Sequence, residues 1–174
     1  MADIKRSRFS RRDLFKGFMR HVRGRWEEDQ ASGLDPEVVR GDSLLREKKY
    51  SEAAKCFEAC LDNEPEHVEA LQKMGYCLMK QGDTRRARQI WARLLSFRPG
   101  DQFSILYTGL CLAREGQAEE AVRVWKKYFN ISHPHIQREI NLILAHHERG
   151  VDLDPGEMVR TMEEAIARQK KSAG

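Results

Sequence analysis

Residues 70–91 read ALQKMGYCLMKQGDTRRARQIW, and residues 104–125 read SILYTGLCLAREGQAEEAVRVW. The second stretch begins 34 residues after the first, and glycine, alanine and tryptophan return at the same places in both. Three columns extend this register to an earlier copy: Gly41, Gly75 and Gly109; Ala53, Ala87 and Ala121; Phe57, Trp91 and Trp125. Pro65 and Pro99 keep the same step, and Pro134 misses it by one residue. A fixed period of this length indicates a repeat architecture.

At these columns the sequence resembles the tetratricopeptide repeat family, whose period is also 34 residues. The resemblance implies an all-α fold, a solenoid of helical hairpins that twists into a right-handed superhelix. We expect the glycine and alanine columns to let the two helices of a unit approach closely. The aromatic column should fill the space between one unit and the next. The family binds other proteins, so the resemblance implies a protein-binding role without naming a partner.

The register divides the chain into an N-terminal arm and a series of repeat units. The predicted parts are a basic arm with an amphipathic helix at 1–33, three units at 34–67, 68–101 and 102–135, and a degenerate fourth unit with capping helices at 136–171. The predicted helices are 35–48, 51–63, 68–81, 84–96, 102–115, 118–131, 136–147 and 156–170. We expect the last unit to shield the apolar end of the stack, as solenoids require.

Charge is distributed unevenly along the 174 residues, whose net charge is +4. Residues 1–25 contain nine Lys or Arg and two Asp, a charge of +7, which leaves about −3 for the remainder. A basic arm on a mildly acidic body favours contact with anionic lipid, nucleic acid or an acidic protein surface. No run of 18 apolar residues is present, so the sequence predicts no transmembrane helix.

The N-terminal arm contains a predicted amphipathic helix at 10–26, which starts at a Ser10 cap. Apolar and basic side chains recur on opposite sides of it, and the predicted docking residues are Arg11, Arg12, Leu14, Phe15, Phe18, Met19 and Val22. Several occupants or targets stay open for this apolar stripe: the chain's own groove, the groove of a second copy, an anionic membrane surface or a partner enzyme. Self-association is therefore one of the predicted outcomes.

The stretch Ser10–Lys16 also resembles a twin-arginine export signal, with Arg11 and Arg12 at the paired arginines. The residues after Lys16 depart from that pattern, because Arg20, His21 and further charges interrupt the apolar segment that export needs. We therefore do not expect export. Cytoplasmic accessory proteins of bacterial redox enzymes have similar starts, and the resemblance by analogy allows a redox-maturation setting.

The sequence contains no catalytic constellation, no cofactor motif and no predicted metal site. Four histidines, His133, His135, His146 and His147, lie within 15 residues, but adjacent histidines on a helix point about 100° apart. The four cysteines, Cys56, Cys60, Cys77 and Cys111, form no CxxC pair and are expected to be packing residues in a reduced compartment. The chain is predicted not to be an enzyme.

The informative surface is the concave groove, which the first helix of each unit lines in this family. Carried over position by position, the predicted groove residues are Gln72, Lys73, Tyr76, Met79, Lys80, Phe103, Leu106, Tyr107, Leu110, Arg114 and Asn141. The positions that form a carboxylate clamp in chaperone-binding members hold Val38, Asp42, Gln72, Tyr76, Leu106 and Leu110 instead. A co-chaperone role is therefore not expected. The aromatic and aliphatic groove suits an amphipathic helix.

These patterns together predict a cytoplasmic, non-enzymatic adaptor or assembly scaffold that binds a helical or extended segment of a partner. The basic helix would dock it to a protein complex or to the inner face of the membrane. The alternative is a permanent peripheral subunit of a larger, membrane-bound redox complex. Nucleic-acid binding through the arm is disfavoured, because no recognition fold accompanies the arginines.

Overall fold

The computed structural model describes residues 35–172, which form eight α-helices and no strand. In chain order they are α1 Pro36–Arg46, α2 Tyr50–Asn63, α3 Val68–Lys80, α4 Thr84–Phe97, α5 Gln102–Arg114, α6 Ala118–Trp125, α7 Pro134–Glu148 and α8 Pro155–Ser172. The prediction of an all-α fold is confirmed, and neighbouring helices pack as hairpins. The predicted helix at 10–26 lies outside the described residues, and the predicted unit boundaries stay predictions.

Four turns of identical type end α1, α3, α5 and α7. Lys48, Gly82, Gly116 and Gly150 stand 34 residues apart and have positive φ angles of 60°, 88°, 78° and 70°. At each turn two backbone N–H groups reach back to the helix end, as when Gly82 donates to the Met79 carbonyl at 3.1 Å and Asp83 to that of Leu78 at 3.0 Å. This left-handed cap satisfies the last carbonyls of the helix and reverses the chain.

Inside each unit the aromatic residue of the second helix packs on the glycine of the first. A β-carbon at Gly75 or Gly109 would overlap the indole ring of Trp91 or Trp125, and one at Gly41 would lie 2.6 Å from Cε1 of Phe57. The Trp125 Nε1 group donates to the Leu106 carbonyl at 3.1 Å. This confirms the expectation that the two helices approach closely at the glycine column. Because glycine has no side chain, the aromatic ring of the second helix can lie directly against the first helix.

The helix predicted at 118–131 is shorter than expected, since α6 ends at Trp125. Lys126, Lys127 and Tyr128 still donate to backbone carbonyls of α6. The two N–H groups that follow bond to side chains instead: Phe129 N–H donates to Gln102 Oε1 and Asn130 N–H to Gln137 Oε1, both at 2.7 Å. Buried Tyr128 holds this loop to the core. Within residues 35–172, every other predicted helix end lies within two residues of the observed one.

The last hairpin does not continue the packing of the units before it. Helix α8 packs against α7 and also turns back onto α5, while α7 makes a smaller contact with α6. Met158, Met162 and Ala165 are the buried apolar residues of α8. As a result α5 is enclosed on nearly all sides, and the residues from Ser104 to Ala113 are buried except Thr108, which is half-buried. A helix that is apolar all round needs such cover.

The four cysteines are buried in the core, in agreement with the predicted packing role. Burial raises the pKa of Cys77 and of Cys111 to about 12. Both therefore stay protonated at neutral pH, which disfavours nucleophilic or metal-binding roles. None of the helices within residues 35–172 is long and apolar enough to span a membrane.

Candidate functional site: the inner surface of α3 and α5

The predicted groove residues fall into three groups in the structure: buried, accessible on α3 and α5, and remote. The buried group is Met79, Leu106, Tyr107 and Leu110, with 3%, 5%, 7% and 1% of their surface exposed. The accessible group is Gln72, Lys73, Tyr76, Lys80, Phe103 and Arg114. The remote residue is Asn141 on α7. Whether any of them binds a partner stays a prediction.

For Met79, Leu106 and Leu110 the sequence allowed either a groove position or a place in the core between the helices, and the structure places them in the core. For Tyr107, by contrast, the sequence led us to expect an aromatic side chain that meets water. Its ring instead stacks on that of Trp91, with centroids 5.9 Å apart and planes inclined by 28°. Burial in these surroundings raises the pKa of the Tyr107 hydroxyl. The physical reason is the enclosure of α5, whose residues belong to the core that joins the second, third and last hairpins.

An aromatic cluster connects this core to the accessible surface. The Tyr76 ring meets that of Tyr107 edge-on, with centroids 5.4 Å apart, and Phe103 lies 4.6 Å from Tyr107 and 6.4 Å from Trp91. Tyr76 and Phe103 are half-buried, and Trp91 is fully buried. Trp91 thus fills the space between the second and third units, as predicted for the aromatic column. These ring contacts hold Tyr76 and Phe103 in place, and both side chains remain partly accessible.

Two polar residues of α3 are held in place by bonds within the protein. The Lys73 ammonium group donates to both carboxylate oxygens of Asp42 on α1 at 2.6 Å, and it also pairs with Glu69. The Gln72 side chain donates to Asp101 Oδ1 at 2.6 Å. The Lys73–Asp42 bond bridges successive units, and the Gln72–Asp101 bond ties α3 to the residue that precedes α5. Lys73 and Gln72 therefore stabilise the shape of the groove and offer a partner little unsatisfied hydrogen-bonding capacity.

One end of the groove carries the side chains that close α3 and α5. The Lys80 Nζ atom lies 5.5 Å above the centre of the Tyr76 ring, a cation–π geometry. Arg114 pairs with Glu163 of α8. Burial lowers the pKa of Lys80, and the neighbouring charges of Arg114, Lys170 and Lys48 lower it further, while Glu163 acts in the opposite direction.

Three residues at this end, Lys48, Glu163 and Lys170, were not among the predicted groove residues. Glu163 and Lys170 were missed because they lie on α8, and no periodic signal indicates that α8 returns to α5. A signal for Lys48 was available, since it stands 34 residues before Gly82 and so takes the same place after its helix. We call Lys48, Lys80, Arg114 and Lys170 the basic cluster.

Asn141 does not join the other predicted groove residues. It is exposed on α7, accepts a bond from the Gln137 side chain at 3.0 Å, and lines a shallow pocket with Ile131, Pro134, Gln137, Arg138 and Leu142. Ile131 and its neighbour Phe129 are 79% and 71% exposed. This apolar patch was missed because the sequence predicted a helix through residue 131.

The histidines of the C-terminal half do not converge. His147 Nε2 lies 2.9 Å from Glu119 Oε2, whereas the His133 ring contacts Asn130 and Tyr128. In the part of the chain that the structure describes, no group of three His, Cys, Asp or Glu could hold a metal ion.

Comparison with known proteins gave one family. Residues 44–110, from the last turn of α1 to the second half of α5, match the model of a family described as tetratricopeptide repeat. The match contains one complete aromatic-over-glycine pair, Gly75 with Trp91, and includes Tyr76. None of the curated proteins compared with the chain shows a significant match.

Proposed function

Since the chain is a tetratricopeptide repeat protein, we propose that it is a non-enzymatic adaptor that holds a segment of a partner protein on the inner surface of α1, α3 and α5. Repeats of this family generally mediate contacts between proteins. The proposed segment is helical or extended, and its apolar side chains would pack on Tyr76 and Phe103. The basic arm at 1–33 would dock the adaptor to a protein complex or a membrane surface in the cytoplasm.

One observation carries the groove proposal: Tyr76 is a half-buried aromatic residue whose ring is held by neighbouring side chains and remains partly accessible. Its ring is fixed against Tyr107 at 5.4 Å and against Phe103 at 6.4 Å, while Lys80 lies at 5.5 Å from its centre. A rigid aromatic side chain beside a cation loses little conformational entropy on binding, which is typical of the residues that dominate protein interfaces.

The test is affinity capture from native lysate with the full chain, with Tyr76→Ala and with Phe129→Ala. Phe129 is the matched control, because it is an exposed aromatic residue away from the groove. Partners that bind the wild type and Phe129→Ala but not Tyr76→Ala are groove partners. A chain that begins at Leu34 separates partners of the N-terminal arm. If Tyr76→Ala retains every partner, groove binding through Tyr76 is wrong.

A further inference from the structure

The open end of the groove holds more positive charge than its carboxylates neutralise. Arg114 of the basic cluster is paired with Glu163. Among residues 35–172, no Asp or Glu forms an ion pair with Lys48, Lys80 or Lys170. Lys73, about two helical turns before Lys80, shows the contrast, because Asp42 and Glu69 both pair with it. The unbalanced charge is thus confined to one end of the inner surface.

The repeat geometry explains why these cations come together. Lys80 and Arg114 are the last residues of α3 and α5, which pack side by side, and Lys48 follows the end of α1. Lys170 lies about two helical turns after Glu163, the residue that α8 presents to Arg114. The charges of Arg114, Lys170 and Lys48 all act on the Lys80 ammonium group and lower its pKa. The neighbouring positive charges therefore make the charged form of Lys80 less favourable.

Helix electrostatics account for part of this arrangement. A basic residue in the last turn complements the helix dipole, a contribution of ~0.3–1 kcal/mol at exposed sites. This explains why α3 and α5 each end in a cation. It does not explain why Lys48, Lys80 and Lys170, from three different parts of the fold, meet there with no carboxylate of their own in the described chain. An anionic group brought by a ligand would relieve their repulsion.

Helix α8 shows what kind of segment the inner surface accepts. It packs on α5 as well as on α7, and its Met158 and Met162, one turn apart, are buried. The next residue, Glu163, pairs with Arg114 at the end of α5. An apolar pair at i and i+4 with an adjacent carboxylate is therefore the pattern that already binds one inner helix. Over α3 the equivalent apolar surface is offered by Tyr76, and the equivalent cation is Lys80.

We propose that the inner surface over α3 binds an acidic amphipathic helix of a protein partner, with apolar side chains on Tyr76 and carboxylates against Lys80 and Lys170. The inference rests on the proposed function and specifies its ligand. Lys48 would extend the contact toward α1. The partner helix would lie beside α8 and repeat its arrangement of apolar anchors next to an acid.

The experiment uses the full chain and two synthetic fluorescent helical peptides of about five turns, roughly 18 residues each. Both carry leucines at i and i+4; one has Glu beside them, and the other has Gln at the same positions. Fluorescence anisotropy gives the Kd at low salt, about 50 mM NaCl, and at high salt, about 300 mM. We expect the Glu peptide to bind at least about tenfold more tightly than the Gln peptide at low salt, with a smaller ratio at high salt because salt screens exposed charges.

Two matched lysine pairs locate the site. Lys80→Gln with Lys170→Gln should weaken the Glu peptide about tenfold or more, whereas Lys55→Gln with Lys126→Gln, exposed lysines on and after the outer helices α2 and α6, should change the Kd less than about twofold. All of these proteins keep the basic arm, so its charge is constant. Circular dichroism confirms that each variant remains folded.

The results separate the ligand from the underlying function. Equal weakening by both lysine pairs would show a response to net charge and overturn the proposed site. If the Glu and Gln peptides bind equally well, and both lose binding in Tyr76→Ala, the acidic preference is wrong and groove binding still stands. Failure of both peptides to bind would overturn the amphipathic-helix inference, and the lysate capture would then decide the groove function separately.

Discussion

The indole ring of Trp125 packs on Gly109. Its Nε1 group donates a hydrogen bond at 3.1 Å to the carbonyl of Leu106, which lies about one helical turn before Gly109. Trp125 is fully buried, so the ring has no free volume into which it could move. The glycine and tryptophan columns of the sequence therefore correspond to one contact, made inside each unit and repeated every 34 residues.

Gly109→Ala tests how tight this contact is. We expect the free energy of unfolding to fall by about 2 kcal/mol, because overpacking costs ~1–3 kcal/mol and the bond to Leu106 is disturbed, while alanine returns only ~1 kcal/mol of helix propensity. Urea denaturation measures the difference. Gly100→Ala is the control, since an added β-carbon there meets no atom within 4 Å. Equal stabilities of the wild type and Gly109→Ala would contradict the tight contact.

Lys48→Gly should stabilise the protein. Lys48 has a φ of 60°, the left-handed conformation that the equivalent residues Gly82, Gly116 and Gly150 adopt without a β-carbon clash. We expect a gain of about 1 kcal/mol, read as a higher thermal midpoint. Lys55→Gly, in the middle of α2, should instead lose about 1 kcal/mol. A loss at both positions would mean that the φ of Lys48 is not strained.

The attachment of α8 to α5 should depend on apolar packing more than on charge. Met162 is fully buried, so Met162→Ala should lower the free energy of unfolding by about 3 kcal/mol. Arg114→Gln should cost at most about 1 kcal/mol, because half of the Glu163 side chain is exposed and solvent weakens the pair. Denaturant titration compares the two. The reverse order of the two losses would show that the ion pair holds α8.

Stability should decrease at alkaline pH because of the buried thiols. Burial raises the pKa of Cys77 and Cys111 to about 12, whereas an unfolded thiol titrates near ~8.5. The folded state keeps both protons between these values and the unfolded chain releases them, so unfolding becomes more favourable as pH rises from about 8.5 toward 12.

Urea midpoints at about pH 7.5 and about pH 10.5 under reducing conditions measure this decrease. Cys77→Ala with Cys111→Ala should show a smaller drop between the two pH values than the wild type. The comparison uses each protein's own change with pH, so the stability lost by shortening the side chains cancels. An identical drop in both proteins would assign the alkaline effect to other groups.

The sequence predicts the hairpins well because the periodic residues themselves make the contacts that define them. The sequence separation of Gly75 and Trp91 equals that of Gly109 and Trp125, and the two residues of each pair are in contact. The repeated sequence pattern therefore corresponds directly to a packing contact. The end of α6 was predicted incorrectly for the opposite reason. It is determined by Gln102 and Gln137, whose side chains bond to the loop from 27 and seven residues away.

The accessible groove was predictable at Tyr76 and Phe103, which lie where the repeat register places them. The burial of Tyr107 was not predictable, because it accompanies the return of the last hairpin to α5. The Arg114–Glu163 pair joins residues 49 apart, a separation outside the repeat period. The basic cluster contains Lys170 for the same reason. A periodic pattern describes contacts between neighbouring units and contains no information on a contact that skips two helices, as that between α5 and α8 does.

The return of α8 to α5 also changes how the array can come apart. In a solenoid whose units touch only their neighbours, fraying can start at either end and proceed one unit at a time. Here the last hairpin cannot open without uncovering α5, so α5 to α8 should open as one cooperative block, whereas opening can start at α1 and proceed inward. The described helices can therefore unfold progressively from α1, whereas those from α5 to α8 have to unfold together.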